Sequence, residues 1–326
     1  MVFALRVALL MLSVPLCVTV AGAGEPAKPP QVVLISFDGA HALTQWERSR
    51  ALSRKTGARF TYFLSCAYLL SEETRKNYRG PGKKRGKSNV GFAKTREEVA
   101  GRLRQIWAAR REGHEMASHG CGHFDGKNWS KAKWMDEHSA FSAILGEAWK
   151  LNDVPFEPDG WRVFAAKEIS GFRAPYLSTN RAMFDELRTY GFRYDASGVS
   201  RGPAASKAKE GLYRIPLPTI PEGPRGRRII AMDYNLFVRH SAGLERPSEA
   251  DVFADRTYDA LMAAFKRERS GKRRPLSIGF HFTLMNGGAY WDALERFAAT
   301  VCGEADVACI SHNDYVRMLD EKALGG

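Results

Sequence analysis

The sequence predicts an α/β fold built on a mainly parallel sheet or barrel. Residues 32–35 (Val-Val-Leu-Ile) form a continuous apolar run, which is typical of a strand buried on both faces of a parallel sheet. A helical stretch over residues 43–55 ends before Gly57, and residues 59–64 then form a second strand, so the chain opens with a strand-helix-strand unit. Short apolar and longer helical segments keep alternating towards the C-terminus, as they do in α/β proteins.

The later elements follow from the same signals. Thr95 with Glu98 three residues on is a capping box that starts a helix, and Gly113 stops this helix after Arg111. A strand-like segment then leads into His119. We predict further helices over residues 129–151, 180–190, 249–269 and 290–301, and further strands over residues 192–196, 228–232, 276–282 and 307–310. One domain over residues 32–320 accounts for all of them, between a Pro-rich linker (24–31) and a short tail (321–326).

The N-terminus and the charge indicate where the protein works. Residues 1–23 have the pattern of a secretory signal: Arg6, an apolar run and a small-residue exit. We therefore expect a secreted or periplasmic protein whose mature chain has no stable membrane span. The formal net charge of +13 favours anionic surroundings. Without a recognisable nucleic-acid motif, a cell-envelope polymer is a better partner than nucleic acid.

Seven of the positive charges fall within residues 75–87, which contain no acidic residue and are called the basic loop below. Such a run is usually a solvated loop, and a dedicated polyanion contact is the alternative.

Four cysteines remain once the signal is removed: Cys66, Cys121, Cys302 and Cys309. An even number in an oxidising compartment indicates disulfides, and four cysteines allow three complete pairings. The short spacing favours a bridge between Cys302 and Cys309. Cys66 and Cys121, each at the end of a predicted strand, then pair with each other or stay free.

The histidine loop, His119-Gly-Cys-Gly-His123, is the strongest candidate for a functional site. Two neutral imidazoles suit zinc and similar divalent ions, but catalytic zinc sites usually have three protein ligands, so another must come from elsewhere. The two glycines indicate a loop at a strand end rather than a helix. Gly120 also stands where helical zinc proteases have a glutamate, which argues against a protease.

Other polar side chains stand at equivalent positions. Asp38, His119, Arg173 and His281 each lie at the C-terminal end of a predicted strand or strand-like segment. Active sites of α/β barrels are built at this end. Any one of the four could be structural, but together they predict a site.

With these motifs in this order, the chain resembles the polysaccharide deacetylase family (the NodB homology domain, carbohydrate esterase family 4) over residues 32–320. Residues 36–39 (Ser-Phe-Asp-Gly) resemble its first motif, the histidine loop its metal-binding second motif, residues 171–176 (Gly-Phe-Arg-Ala-Pro-Tyr) its third and residues 280–282 (Phe-His-Phe) its last. The resemblance implies a distorted (β/α) barrel and a metal-dependent hydrolase, with zinc as the divalent ion, that removes acetyl groups from N-acetylated polysaccharides.

The first motif departs from the family pattern. The family has two adjacent aspartates there, a catalytic base and a third metal ligand, whereas this chain has Asp38 followed by Gly39. Alignment makes Asp38 the base, but the need for a third ligand argues that it could bind the ion, or do both. His41 or Asp125 could also complete the ligand set.

The resemblance also implies roles for the other motif residues. His119 and His123 are the expected metal ligands, and Arg173 is expected to orient Asp38. His281 would protonate the leaving amine, with Asp195 as its orienting carboxylate and Asp233 as the alternative. The backbone N–H of Tyr176, after Pro175, corresponds to the oxyanion donor.

The sequence is also compatible with two other functions. Residues 198–202 (Gly-Val-Ser-Arg-Gly) match the nucleophile elbow of serine hydrolases, with Ser200 as nucleophile, Asp251 or Asp255 as acid and His281 as base. The neighbouring Pro203 and the Ala/Lys/Ser-rich stretch instead indicate an exposed loop. The second rival is a non-catalytic glycan-binding protein on a deacetylase fold, because fold alone does not determine function.

Overall fold

The computed structural model describes residues 28–324. The predicted signal peptide, the first half of the predicted linker (24–27) and the last two residues of the predicted tail lie outside the described residues. The first strand begins at Gln31, one residue inside the predicted linker, and the last helix runs to Leu324, through the start of the predicted tail. None of the described helices is both long and apolar enough to cross a membrane.

The described residues include twelve strands and nine α-helices. The strands are β1 (Gln31–Asp38), β2 (Thr61–Leu64), β3 (Glu115–Ser118), β4 (Gly171–Phe172), β5 (Tyr194–Asp195), β6 (Val199–Ser200), β7 (Lys207–Lys209), β8 (Leu212–Arg214), β9 (Leu217–Glu222), β10 (Arg227–Ile230), β11 (Leu276–His281) and β12 (Val307–Cys309). The helices are α1 (Leu43–Thr56), α2 (Arg96–Arg111), α3 (Lys131–Leu151), α4 (Trp161–Lys167), α5 (Arg181–Tyr190), α6 (Asp233–Ser241), α7 (Ala250–Ser270), α8 (Ala289–Val301) and α9 (His312–Leu324).

The main sheet has the order β11-β1-β2-β3-β4-β5-β8-β7, with β12 also paired to β1. Every pair in it is parallel except β7 with β8. The sheet curls into a half barrel, a distorted (β/α) barrel, so the predicted fold class is confirmed. A small second sheet, β10-β9-β6, lies against β11, where Met232 bridges to Gly279.

The register of the sheet places the C-terminal ends of neighbouring strands side by side. Asp38 at the end of β1 is the direct partner of His281 at the end of β11. Ser118, one residue before His119, pairs with Phe172, one residue before Arg173. The C-terminal strand ends therefore present the four predicted polar side chains on the same edge of the barrel.

The hydrophobic core lies between the sheet and the helices. All eight residues of β1 are buried, as its apolar run predicts. Phe37 stacks on Tyr62 and Trp291, with ring centroids 5.4 and 5.1 Å apart. Such aromatic contacts fix the strand that carries Asp38, because aromatic pairs add to the free energy gained by burial.

Three helices were not predicted: α4, α6 and α9. For α9 the signal is present, since Ser311 and Asp314 form a reciprocal cap in which the Asp314 N–H donates to Ser311 Oγ at 3.0 Å. Helix α6 has no such signal, because Met232 precedes it and no side chain caps it.

Candidate active site

A small pocket opens at the C-terminal end of the main sheet. It encloses about 60 Å³, room for a few waters or a short acyl group but not for a sugar ring. Its walls come from the ends of β1, β3 and β11, from the loops that follow them and from the long segment between β2 and α2. The lining residues are Asp38, Gly39, His41, Tyr68, Val90, His119, His123, His281, Phe282 and Thr283.

Asp38 is held by Arg173 in a buried ion pair. Arg173 Nη1 donates to Asp38 Oδ1 at 2.7 Å and to Ser36 Oγ at 2.8 Å, and both charged side chains are almost fully buried. Burial alone would raise the pKa of Asp38, but Arg173 and the nearby imidazoles outweigh it and hold this pKa below its ordinary value. Asp38 is therefore an ionised carboxylate, and its second oxygen has no hydrogen-bond partner among residues 28–324.

Asp195 supports this pair from behind. Its carboxylate accepts from Ser197 Oγ at 2.6 Å, and Ser197 Oγ accepts the N–H of Ala174 at 2.7 Å. Arg173 Nε in turn donates to Ala196 O at 3.1 Å. The expectation that Asp195 orients His281 is wrong, because the residue instead fixes the loop that carries Arg173.

Asp233, the alternative, is the carboxylate on His281. Its Oδ1 lies 2.6 Å from His281 Nδ1, and its Oδ2 accepts the His281 backbone N–H at 2.7 Å. Burial opposes a charge on this imidazole, but the Asp233 carboxylate outweighs burial and raises the pKa of His281 to about 9. His281 is therefore protonated at neutral pH. Its side chain remains 29% exposed, on the pocket side.

The histidine loop is shaped by glycines and by one buried acid. Gly120 adopts a left-handed φ of 70°, and a Cβ on Gly122 would lie 2.5 Å from Tyr78 Oη, so neither position accepts an ordinary side chain. Glu137, buried in α3, accepts the backbone N–H groups of Cys121 and Gly122 at 2.7 and 3.0 Å. Nothing in the sequence pattern singles out Glu137, because it reads as one more acid on a long helix.

Disulfides complete the support of this loop. The structure joins Cys302 to Cys309, the bridge that the spacing favours, and it also joins Cys66 to Cys121, which the sequence left either paired or free. The bridge between Cys66 and Cys121 ties the middle of the histidine loop to the residues after β2.

The two histidines offer unprotonated nitrogens to the pocket. His119 Nδ1 lies 2.7 Å from Arg173 O, so it donates to that carbonyl and leaves Nε2 free. The ring centroids of His119 and His123 are 5.0 Å apart. Burial lowers the pKa of His119, and burial together with His119 lowers that of His123 to about 3. Both rings are therefore neutral, the form that binds metal ions.

This donor set fits a divalent ion in part. A backbone carbonyl that fixes one nitrogen of a histidine is the usual support of a metal ligand. Asp38 lines the same pocket, but one of its oxygens is engaged by Arg173. Within the described part of the chain, no group of three or more His, Cys, Asp or Glu side chains is placed to hold a metal. Among the described residues that line this pocket, the two imidazoles are thus the ligands that are already in place.

Neither of the other proposed ligands completes the set. His41 lines the pocket but stacks on Tyr68, with ring centroids 4.8 Å apart. Asp125 is exposed, lies outside the pocket lining and accepts the backbone N–H of Lys127 at 2.9 Å.

The residues after β4 form a strained turn beside the pocket. Tyr176, which follows Pro175, has a φ of 57°, a conformation that costs a non-glycine residue about 1 kcal/mol or more. Its ring is 58% exposed and lies 4.8 Å from the ring of His123, centroid to centroid. Its backbone N–H has no acceptor among the described residues. This position suits an oxyanion donor, and that role stays a prediction.

Ser200 does not form a nucleophile elbow. It ends the two-residue strand β6, and Ser200 Oγ donates to Gly202 O at 2.7 Å. A loop and then β7 follow it, where an elbow requires a helix. His281 is engaged by Asp233 instead, so the serine-hydrolase arrangement is not present.

Comparisons with solved structures agree with this architecture. A Mycobacterium smegmatis protein classed with the polysaccharide deacetylases superposes with a TM-score of 0.54 at 17% identity, over 92% of this chain and 93% of that one. A Pseudomonas aeruginosa PAO1 protein of the same class gives a TM-score of 0.53 at 16% identity, over 88% and 90%. This chain has the deacetylase-type barrel fold.

The deacetylase-type barrel also includes other activities. Puue allantoinase matches with a TM-score of 0.53 at 15% identity, over 88% of this chain and 90% of that one. No protein-family model matches the sequence, and no curated protein matches it. At these identities the similarity establishes the fold, and the activity has to be argued from the pocket.

Proposed function

We propose that the protein is a metal-dependent hydrolase that removes acetyl groups from an N-acetylated cell-envelope or extracellular polysaccharide. One observation carries the proposal: Asp38 and His281 are direct neighbours across β1 and β11, one held as a carboxylate and the other as an imidazolium. Hydrolysis of an amide needs a base for the attacking water and an acid for the leaving amine, and this pair supplies both. The deacetylase-type barrel fold also supports the proposed hydrolysis.

The ion would be held by His119 and His123, and when bound it polarises the acetamide carbonyl and lowers the pKa of a coordinated water. Asp38 then accepts the proton of the attacking water. Arg173 keeps this carboxylate ionised and fixes its orientation. Because Asp38 Oδ1 is engaged by Arg173, the proton goes to Oδ2.

Collapse of the tetrahedral intermediate depends on a general acid, His281. His281, protonated and oriented by Asp233, gives its Nε2 proton to the amine as the C–N bond breaks. The Tyr176 N–H donates to the oxyanion, whose negative charge is greatest at this stage. Acetate and a free amino sugar leave, Asp38 releases to solvent the proton that it accepted from water, and His281 regains a proton from solvent.

The size of the pocket determines how the substrate lies. A cavity of about 60 Å³ receives the acetyl group, so the sugar ring remains at the rim. The exposed ring of Tyr176 is placed there and can stack on it.

The test is acetate release from chitohexaose by metal-depleted and zinc-loaded protein. We expect activity only in the loaded protein, with His119→Ala losing both bound metal and activity. Asp125→Ala, a change in a nearby exposed acid, and Ser200→Ala should retain both. Stoichiometric metal in His119→Ala would contradict the ligand assignment. If zinc-loaded wild type binds acetylated glycans but releases no acetate from any of them, the protein is a glycan-binding protein.

A further inference from the structure

The basic loop is a surface of unpaired positive charge. Its seventh cation, Arg75, pairs with Glu72. The other six are exposed and form no ion pair with a carboxylate among residues 28–324: Lys76, Arg79, Lys83, Lys84, Arg85 and Lys87. Charges left unpaired on a folded surface create a field that attracts anions.

The basic loop is fastened directly to the histidine loop. Asn89, two residues after it, donates its backbone N–H to Gly122 O at 2.8 Å and its side-chain amide to His123 O at 3.1 Å. Ser88 Oγ donates to the same Gly122 carbonyl at 3.4 Å. Val90 then lines the pocket itself. A loop whose only role is to be solvated does not need these bonds to the active site.

Close packing inside the basic loop also connects it to the residues that support the histidine loop. A Cβ on Gly80 would lie 2.6 Å from the ring of Phe124 and 2.8 Å from Tyr78 Oη. Tyr78 Oη donates at 2.7 Å to Glu137, the residue that accepts the histidine-loop N–H groups. Lys83 Nζ sits 5.2 Å from the centre of the Phe124 ring. The backbone that carries the positive charges is therefore fastened to the histidine loop, one wall of the pocket.

The composition of the basic loop selects among polyanions. None of the large exposed apolar side chains of the described residues lies within residues 75–87. Proteins that bind membrane surfaces insert apolar side chains, and proteins that bind single-stranded nucleic acid stack bases on aromatic ones. Lysines without such anchors, beside a pocket that admits only an acyl group, suit a hydrated polymer with spaced acidic groups.

We infer that the basic loop binds the acidic groups of an anionic glycan while an acetylated sugar of the same chain presents its acetyl group to the pocket. The inference rests on the proposed deacetylation and adds the substrate class: an acetylated polysaccharide that carries carboxylates along its chain.

The experiment compares two hexasaccharides, hyaluronan (alternating glucuronate and N-acetylglucosamine) and neutral chitohexaose. Binding constants and acetate release are measured with zinc-loaded, full-length protein. At about 0.01 M salt, where charges interact over about 30 Å, we expect tighter binding of the hyaluronan fragment by about tenfold. This preference should disappear near 1 M salt, where the screening length is about 3 Å.

A matched pair of variants locates the effect. The loop variant changes Lys83, Lys84 and Lys87 to Gln. The control variant changes Lys55, Lys266 and Lys272 to Gln. These exposed lysines lie near the C-terminal ends of helices α1 and α7, at the opposite end of the barrel from the pocket. Both lose three positive charges. The loop variant should lose the preference for hyaluronan, and the control variant should keep it.

Each other outcome has a definite meaning. Equal affinity of wild type for the two hexasaccharides, or equal loss of preference in both variants, would overturn the inference. Binding to vesicles of anionic phospholipid without binding to either glycan would also overturn it. A loop-dependent preference without acetate release from either glycan would support the inference and count against the proposed hydrolysis.

Discussion

Replacing Asp233 with Asn tests the acid half of the proposed mechanism. In the wild type, the two oxygens of Asp233 accept three N–H groups: the ring and backbone N–H of His281 and the backbone N–H of Tyr234, at 2.6 to 2.7 Å. Asparagine has a single acceptor oxygen. Whichever way its amide turns, an NH₂ group faces a donor that the carboxylate had satisfied.

The magnitude follows from the pKa of His281. Asp233 raises this pKa to about 9, against an ordinary value of 6.5, while burial acts in the opposite direction. Without the Asp233 carboxylate, burial and Arg173 lower the pKa and only the smaller effect of Asp38 raises it, so we expect the pKa to fall to 6.5 or below. At pH 7.5 the protonated fraction then drops from more than about nine-tenths to about one-tenth or less. Loss of a positioned general acid lowers kcat by about 10²- to 10⁴-fold.

The measurement is an NMR titration of the histidine rings, with the His281 signal identified by its disappearance in His281→Gln. Asp195→Asn is the control, because Asp195 is the other carboxylate that the motifs suggest as a partner. The Asp195→Asn variant should leave the pKa of His281 near 9. An unchanged His281 pKa in Asp233→Asn, or an equal fall in Asp195→Asn, would refute the assignment of Asp233.

Three further predictions concern the metal, the disulfide and pH. Gly39→Asp supplies a carboxylate where the third ligand is lacking; its Cβ meets only Tyr68 at 3.5 Å, and aspartate tolerates a positive φ better than most residues. Zinc affinity measured by chelator competition should rise by about tenfold or more, and an unchanged affinity would count against a site between Gly39 and the histidines. Replacing Cys66 and Cys121 together with Ser opens a link that spans 55 residues, which should cost about 4 kcal/mol in urea unfolding; a loss below about 1 kcal/mol would contradict this. Burial raises the pKa of Glu115 from 4.5 to about 7. The folded state thus keeps a proton that the unfolded chain releases, so the contribution of Glu115 to the free energy of unfolding should fall by about 3 kcal/mol as the pH rises from about 4.5 to 7. Glu115→Gln should flatten that fall, and parallel unfolding curves for the two proteins would refute the assignment.

The strand ends could be predicted from sequence because their signals are local. An apolar run followed by a polar residue marks β1 and Asp38, and a similar pattern marks β11 and His281. In a parallel sheet all such ends reach the same edge, so their proximity follows without knowledge of the strand order.

The partner of His281 could not be predicted in this way. Both candidates, Asp195 and Asp233, lie near the end of a predicted strand. The choice depends on sheet order: β5, which carries Asp195, is separated from β11 by four intervening strands, whereas Met232, just before Asp233, bridges to Gly279 in β11. Such a long-range pairing leaves no trace in local periodicity.

The role of the basic loop was hidden for a similar reason. Its positive charges are evident in the sequence, but a run of like charges usually forms a solvated loop. Its attachment depends on Asn89 reaching the carbonyl of His123 and on Tyr78 meeting Glu137 inside the protein. Both contacts join residues 34 or more positions apart.

The single aspartate in the first motif sets the chemistry that this pocket can perform. If Asp38 bound the ion through Oδ2 while Arg173 held Oδ1, both oxygens would face a positive charge and the carboxylate would be a weaker base for the proton of the water. The Arg173 pair therefore favours Asp38 as the base and leaves the ion to His119 and His123. Two imidazoles bind a divalent ion more weakly than the usual three ligands. We therefore expect activity to depend on free metal concentration, and Gly39→Asp to remove that dependence. Full activity of the wild type at stoichiometric metal would instead show that a third ligand is already in place.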